Sequence, residues 1–522
     1  MQQLSPLDAA FLSMETPRQF GHVCSLVVLD ASTSASGDVH GDLVRAFEAR
    51  THLLGVYRRK LLQVPLDLDR PYWVDDPDLD LDFHIRALAL PRPGNDEQLG
   101  EQIARIIARP LDRSRPLWEW YVITGLEGDR VGVLTKLHHA TIDGASGVEL
   151  IQLLLATDPH APVPEPDSSP ERDEYQPPPD AASLLVRTMI GYATRPQKMI
   201  ELQVRLARMA AKLTGNPVFR QLALAAVPGR NLLRRRAGEP VESTVPPTLT
   251  AGPAPATPWN RAVSAHRRFA MRTLQLADAQ VVKQAFGVTV NDVVLAVCAG
   301  TLRAYLEERG VLPDKPLVAM VPISVREPSE HGAFTNRVTG TTVPIHTDIA
   351  DPVARLLAVH ESMAAAKELN RAIPASILTD VTEFVPPALA ALASRLSSRI
   401  RVADRMNPPF NLTISNVPGP RVPLYLGGAA MEHFYPVSVV AEGQGLNMTV
   451  QSYLGNLDFG LVADRDLVPD LGELAAGLEP AMAELLAAAR QVTAPAITRS
   501  RRATAAPRTR APGRGGARRG AG

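Results

Sequence analysis

Lys136-Leu137-His138-His139-Ala140-Thr141-Ile142-Asp143-Gly144 places two histidines, a carboxylate and a glycine directly after an apolar run. Histidine has the side-chain pKa nearest neutrality, so the chemistry this stretch suggests is proton abstraction by a general base. The elements that must position that base are legible on either side. Val131 to Leu137 is rich in branched apolar residues and predicts a strand. From Gly144 onward, apolar residues recur at Val148, Ile151 and Leu154–Leu155, which is helical spacing. The histidines therefore stand where a strand gives way to a loop. Adjacent strand residues point to opposite faces, so the two rings cannot easily serve one centre. One should face a site and the other should support it. The same geometry makes them poor joint metal ligands, with only Cys24 and Cys298 to help, and no metal is expected. A pair of structural histidines is the plainer alternative. Against it stand Asp143, four residues after His139, and Gly144 at a helix start. Asp143 is better placed to cap that helix, or to pair with an arginine, than to relay a proton.

His138-His139-x-x-x-Asp143-Gly144 matches the HHxxxDG signature of CoA-dependent acyltransferases and peptide-synthetase condensation domains. Five further segments narrow the match. They are Leu4-Ser5-Pro6-Leu7-Asp8-Ala9-Ala10-Phe11, Pro116-Leu117-Trp118, Thr289-Val290-Asn291-Asp292-Val293-Val294, Val321-Pro322-Ile323-Ser324-Val325-Arg326 and Ser415-Asn416-Val417-Pro418-Gly419-Pro420. Together and in this order they resemble the bacterial wax ester synthase/acyl-CoA:diacylglycerol acyltransferase family, from about residue 4 to about residue 490. The resemblance implies an α/β fold of two chloramphenicol-acetyltransferase-like mixed-sheet sandwich subdomains joined by a long crossover segment. It also implies acyl transfer from long-chain acyl-CoA to diacylglycerol or to a long-chain alcohol. Residues 1–160 and 262–490 would be the subdomains, 161–261 the connector, and 491–522 a disordered tail.

The same resemblance distributes roles. His139 is the expected base, His138 supports its loop, and Asp143 and Gly144 hold the motif. A tetrahedral intermediate needs preorganised donors for its oxyanion. Asn291, at the start of a predicted helix from 291 to 309, is the candidate donor. Helix capping by Asn291 and Asp292 is the plainer account; the resemblance favours function for Asn291 and structure for Asp292. Pro116, Leu117 and Trp118 are candidates to shape a substrate tunnel, although a core tryptophan is the simpler reading. Ser415 and Asn416, ending a strand before the Pro418-Gly419-Pro420 turn, are candidates to border the same channel. Direct transfer needs no cofactor, since acyl-CoA is itself a substrate, and no serine or cysteine stands in a nucleophile elbow. Asp458-Phe459-Gly460 matches a kinase metal motif and a structural motif of plant acyltransferases. Without a glycine-rich loop or a catalytic-loop signature, the kinase reading fails.

Composition bounds these readings. At 522 residues, 45% hydrophobic, the chain predicts two domains. Lys plus Arg and Asp plus Glu are 55 each, so nothing points to a nucleic-acid partner. Two cysteines suit a reducing cytosol, the N-terminus does not resemble a signal peptide, and no apolar run is long enough to span a membrane. Extended segments are predicted at 21–30, 72–88, 317–325, 337–347, 412–415 and 446–454. Helices are predicted at 98–108, 352–369 and 471–489. Pro-rich breaks at 162–179 and 240–258 bracket a segment where eleven bases between residues 185 and 236 face one acid, Glu201. Interleaved leucines there allow either a solvated interdomain helix or a basic amphipathic helix docked on a membrane or lipid droplet. A cytoplasmic enzyme peripherally associated with such a surface is the resulting expectation. Residues 490–522 are rich in Arg, Ala, Pro and Gly and lack acids, which predicts a flexible tail. Two alternatives differ in class: a carrier-protein-dependent condensation-type acyltransferase, and a non-catalytic lipid-surface protein. A labelled acyl-CoA assay with both acceptors separates them.

Overall fold

The computed structural model describes residues 1–50, 53–141, 144–162, 177–191, 254–324, 338–372 and 387–493. Among these, fifteen strands fall into three sheets. In the first half are β1 (Gln2–Gln3), β2 (His22–Asp30), β3 (Arg59–Leu62), β4 (Tyr72–Asp75), β5 (Ile85–Ala89), β6 (Trp118–Thr124) and β7 (Arg130–His138). In the second are β8 (Arg267–Gln275), β9 (Val318–Ser324), β10 (Val338–Pro344), β11 (Leu412–Pro418), β12 (Tyr425–Leu426), β13 (Ala429–Val437), β14 (Leu446–Tyr453) and β15 (Asn456–Asp464). One six-stranded sheet runs β12-β13-β2-β7-β6-β5, the other β10-β9-β11-β14-β15-β8, and β1-β4-β3 forms a small third sheet.

The central strands β2 and β7 are buried on both faces, which explains why they read as nearly continuous apolar runs. On one face Val27, Leu29, Val133, Trp118 and Trp120 pack with Phe47 of the Val39–Arg50 helix and with Ile151 and Leu154 of the Gly144–Leu154 helix. On the other, Leu26, Val28 and Leu134 pack with Leu99, Ile103 and Ile107 of the Asp96–Ile107 helix. That second cluster continues into Phe269 and Met271 of β8 and Val462 of β15, so it joins the two large sheets. The second sheet carries its own core beneath the helices Leu276–Phe286, Val290–Glu308, Pro352–Ala372 and Leu478–Thr493.

The mixed α/β architecture of two sheet-rich halves is as expected, with one difference in how the chain is shared. β12 and β13 lie in the second half of the sequence yet complete the first half's sheet, with β13 antiparallel to β2. The sheets therefore do not divide at the connector. Asp458 on β15, fully buried, fastens the exchange: it accepts from the Phe434 amide of β13 at 2.8 Å and from Thr273 of β8 at 2.6 Å. Gly460, two residues on, is required by close packing. A Cβ there would lie 1.7 Å from the Pro436 carbonyl oxygen.

Local signals moved several boundaries. The Asn95/Gln98 capping box starts its helix at Asp96, and Thr289 caps the next predicted helix so that it starts at Val290. The 72–88 segment is not one extended run. Asp80 caps a short helix, Leu81–His84, between β4 and β5. The C-terminal helix breaks at Gly477, whose carbonyl accepts a hydrogen bond from Thr301 at 3.1 Å. No single helix among the described residues is long and apolar enough to cross a membrane. Most of the basic 185–236 segment and of the Arg-rich tail lies outside the described residues.

Candidate active site

β7 delivers the histidine pair at its end, as its pairing register shows: His138 stands opposite His22 of β2. The two rings are then treated differently. His138 is buried, its Nδ1 accepting the Ala140 amide at 3.0 Å and its Nε2 lying 3.2 Å from Glu15 Oε1. An accepting Nδ1 leaves the proton of the neutral ring on Nε2, facing that carboxylate. The His138 carbonyl also accepts from the Thr141 amide at 2.9 Å and the Thr141 hydroxyl at 2.6 Å, which closes the turn. His139 lies just past the strand and is half-buried. Its backbone amide donates to the Gly21 carbonyl at 2.7 Å, and its ring stacks on Phe11 at 4.0 Å with a 13° tilt. Gly144 opens the helix Gly144–Leu154, while Asp143 lies outside the described residues.

The Asn291 segment occupies the first turn of the Val290–Glu308 helix. Asp292 is buried, with its contacts on one oxygen, Oδ2, while Oδ1 has no hydrogen-bond partner. Its carboxylate accepts the Thr289 amide at 2.9 Å, the other half of the capping box, and stands 2.7 Å from His360 Nδ1. Asn291 is less buried and reaches across to β11, where Asn416 Nδ2 donates to its Oδ1 at 3.4 Å. Two segments 125 residues apart in sequence thus meet through their side-chain amides. Accepting with its oxygen leaves Asn291 with its NH₂ group to donate. Ser415 is paired in the sheet with Thr449 and points to the other face of β11. Val417 packs against the first half's core, so the end of β11 bridges the two halves.

Pro116-Leu117-Trp118 supports the site from behind. The Leu117 carbonyl accepts the His138 amide at 3.0 Å. Trp118 is 1% exposed, stacks on Phe47 and His84, and donates from its indole to the Tyr57 carbonyl at 2.8 Å. It is an aromatic core residue with its polar atom satisfied. Burial pushes both cysteine thiols up to about 12, so neither supplies a thiolate near neutral pH.

A family model described as the wax ester synthase/diacylglycerol acyltransferase catalytic domain matches residues 4–294, and the model of that family's C-terminal domain matches 334–486. The chain belongs to the wax ester synthase/diacylglycerol acyltransferase family. It is an O-acyltransferase. A Mycobacterium tuberculosis protein provisionally named diacylglycerol O-acyltransferase is 37% identical over 482 residues, which cover 92% of this chain and 89% of that one. A second from the same organism is 36% identical over 92% of this chain and 97% of its own. The solved wax ester synthase/diacylglycerol acyltransferase of Marinobacter aquaeolei VT8 superposes with a TM-score of 0.63 at 28% identity, covering 94% of this chain and all of that one. The first condensation domain of the CDA synthetase, at 16% identity and a TM-score of 0.51, shares the fold.

In this acyltransferase the site holds residues that motif reading overlooked. Glu15 accepts the Gly21 amide at 2.7 Å and pairs with Arg113 at 2.6 Å while facing His138. Burial alone would raise its carboxyl, but His138, Arg113 and the Gly21 amide outweigh that and hold it at about 2. Gly21 is required by proximity, because a Cβ would sit 2.6 Å from His138 Nε2. Phe11 ends the N-terminal motif, so the one available signal was that this motif and the histidines belong to one family pattern. Glu15, Gly21 and Arg113 carried no spacing relation to the histidines in the sequence.

Proposed function

We propose that this enzyme transfers the acyl group of a long-chain acyl-CoA to the free hydroxyl of diacylglycerol, with long-chain alcohol as a second acceptor. Diacylglycerol stands first because the relatives of higher identity carry that substrate in their names, over more than nine-tenths of this chain. The observation that carries the site assignment is the division of labour at the end of β7. His138 is buried, with Nδ1 accepting the Ala140 amide and Nε2 3.2 Å from Glu15 Oε1, whereas His139 is half-buried and stacked on Phe11.

The acceptor hydroxyl loses its proton to His139 as its oxygen attacks the thioester carbonyl carbon. The oxyanion of the resulting tetrahedral species accepts from the NH₂ group of Asn291, whose orientation Asn416 sets. Collapse breaks the carbon–sulfur bond, and the leaving CoA sulfur takes the proton back from His139. The ester forms without a covalent enzyme intermediate, metal or cofactor. Asn416, with Pro116 and Leu117 behind the histidine pair, would border a tunnel for the two apolar chains, while Ser415 points to the other face of β11. Assays with labelled acyl-CoA, using diacylglycerol and hexadecanol in turn, test this reading. His139→Ala should cost about 10²–10⁴ in kcat, and Asn291→Ala about 10²–10³. Retention of full activity by His139→Ala would remove the base assignment.

A further inference from the structure

Seven of the eighteen large apolar side chains exposed among the described residues lie on three neighbouring elements. Leu392, Leu396 and Ile400 are all exposed and spaced four residues apart along the Pro387–Arg399 helix and its final turn, where the Ile400 amide still bonds the Leu396 carbonyl at 3.0 Å. They form one stripe. The helix is anchored elsewhere: Ser394 Oγ donates to the Met14 carbonyl at 3.1 Å, and Ser398 Oγ to Glu442 at 2.5 Å. It also packs against the Pro65–Asp67 turn. The tip of that turn is Leu66, 83% exposed and held at φ 60°. A bulky residue in the left-handed region costs backbone strain, and an exposed leucine gains nothing from packing in return. Beside the turn runs the Ala181–Gly191 helix, which exposes Val186, Met189 and Ile190, with Gly191 adjacent to Asp69.

The charge on this face leans basic. Arg395, Arg399 and Arg405 stand exposed among the apolar residues, as does Arg187 on the neighbouring helix. Arg401 is paired with Asp404; the other described acids are Asp67 and Asp69 at the Leu66 turn and Asp180 at the start of the neighbouring helix. Protruding single aliphatic side chains interleaved with arginines suit a lipid boundary. The side chains enter hydrocarbon while guanidiniums meet phosphates. The face is also next to the chemistry. The segment that receives Ser394 at Met14 is the end of the Pro6–Ser13 helix, whose Phe11 stacks on His139.

We propose that this face, built on Leu66, Leu392, Leu396 and Ile400 with Arg395 and Arg399, docks the enzyme on an anionic phospholipid surface and so brings the site to an acceptor dissolved in that surface. The role for the acceptor rests on the acyl-transfer reading above; the docking does not. Full-length protein is floated with phosphatidylcholine vesicles, with and without phosphatidylglycerol, carrying diacylglycerol. Acyl transfer is measured to that diacylglycerol and, separately, to a short water-soluble alcohol. Wild type should float with the anionic vesicles and release at high salt. The Leu392→Ser/Leu396→Ser and Arg395→Glu/Arg399→Glu variants should lose about tenfold or more in flotation and in transfer to vesicle diacylglycerol. Their transfer to the soluble alcohol should be unchanged. Leu66→Asn should also float less, yet melt no lower than wild type, because asparagine tolerates the left-handed region; it separates docking from folding. Wild type that stays off the vesicles, or variants that float as well as wild type, overturns the proposal. So does a wild-type dimer that the leucine variant dissociates without any flotation, which would assign the face to a second copy. A wild type that floats but transfers to neither acceptor would instead overturn the acyl-transfer reading.

Discussion

His138 and His139 are chemically identical neighbours separated by one geometric fact: the first still belongs to β7 and the second does not. The first therefore points into the protein, against Glu15 and Gly21, and the second lies against Phe11 at the edge. Replacing Phe11 by Leu keeps apolar bulk and removes the stack. The aromatic contact is worth about 1 kcal/mol, so kcat should fall several-fold with only a small drop in melting temperature, read by steady-state kinetics beside a thermal melt. Glu15 predicts a pH dependence of stability. Folding lowers its pKa from 4.5 to about 2, so its contribution is complete above the unfolded value and disappears as pH falls from about 5 toward 2. The wild-type denaturation midpoint should decline through that window. Glu15→Gln should be less stable at pH 7 by on the order of 2 kcal/mol and show a flatter acid limb. An unchanged limb would mean that the carboxylate is not held by Arg113 and His138.

Element boundaries decide which groups meet. Thr289 and Asp292 satisfy the first turn of the Val290–Glu308 helix between them, which frees Asn291 from capping and turns it toward β11. β11 in turn carries Asn416 at the end where Val417 packs on the opposite half's core. Asn416→Ala should leave folding intact and lower kcat on the order of tenfold, with KM little moved, because a misoriented donor weakens transition-state contacts more than substrate binding. A matching rise in KM at constant kcat would instead make Asn416 a binding residue.

Across the whole molecule, the exchange of β12 and β13 couples the two sheets. The Asp458 hydrogen bonds and the shared cluster of Phe269, Met271, Val462, Leu26 and Val28 reinforce it. Calorimetry of wild type should accordingly show both large sheets unfolding in one transition. Gly460→Ala places a methyl against the Pro436 carbonyl of the exchanged strand. It should destabilise that single transition by more than about 3 kcal/mol. Loss of only one of two separable transitions would show the halves to be independent.

Most strands and helices were legible because their signals are local: branched apolar runs for β2, β7 and β14, helical spacing after Gly144 and from 352 onward, and turn residues between them. The linear pattern also placed the His-His pair at a strand end, where the two rings were expected to differ; His138 is buried and His139 half-buried. Several features were not legible. Glu15 and Arg113 meet His138 only through the packing of the N-terminal helix. Asn416 finds Asn291 only where two sheet-rich halves join. Strand exchange through β13 leaves no periodic trace, because a strand reads the same whichever sheet receives it. The exposed stripe at Leu392, Leu396 and Ile400 looks in sequence like any amphipathic face. Local chain chemistry determined which elements form and which residues can react. Tertiary packing decided which distant groups share a site and which apolar side chains stay outside, since both depend on contacts between residues far apart in the chain.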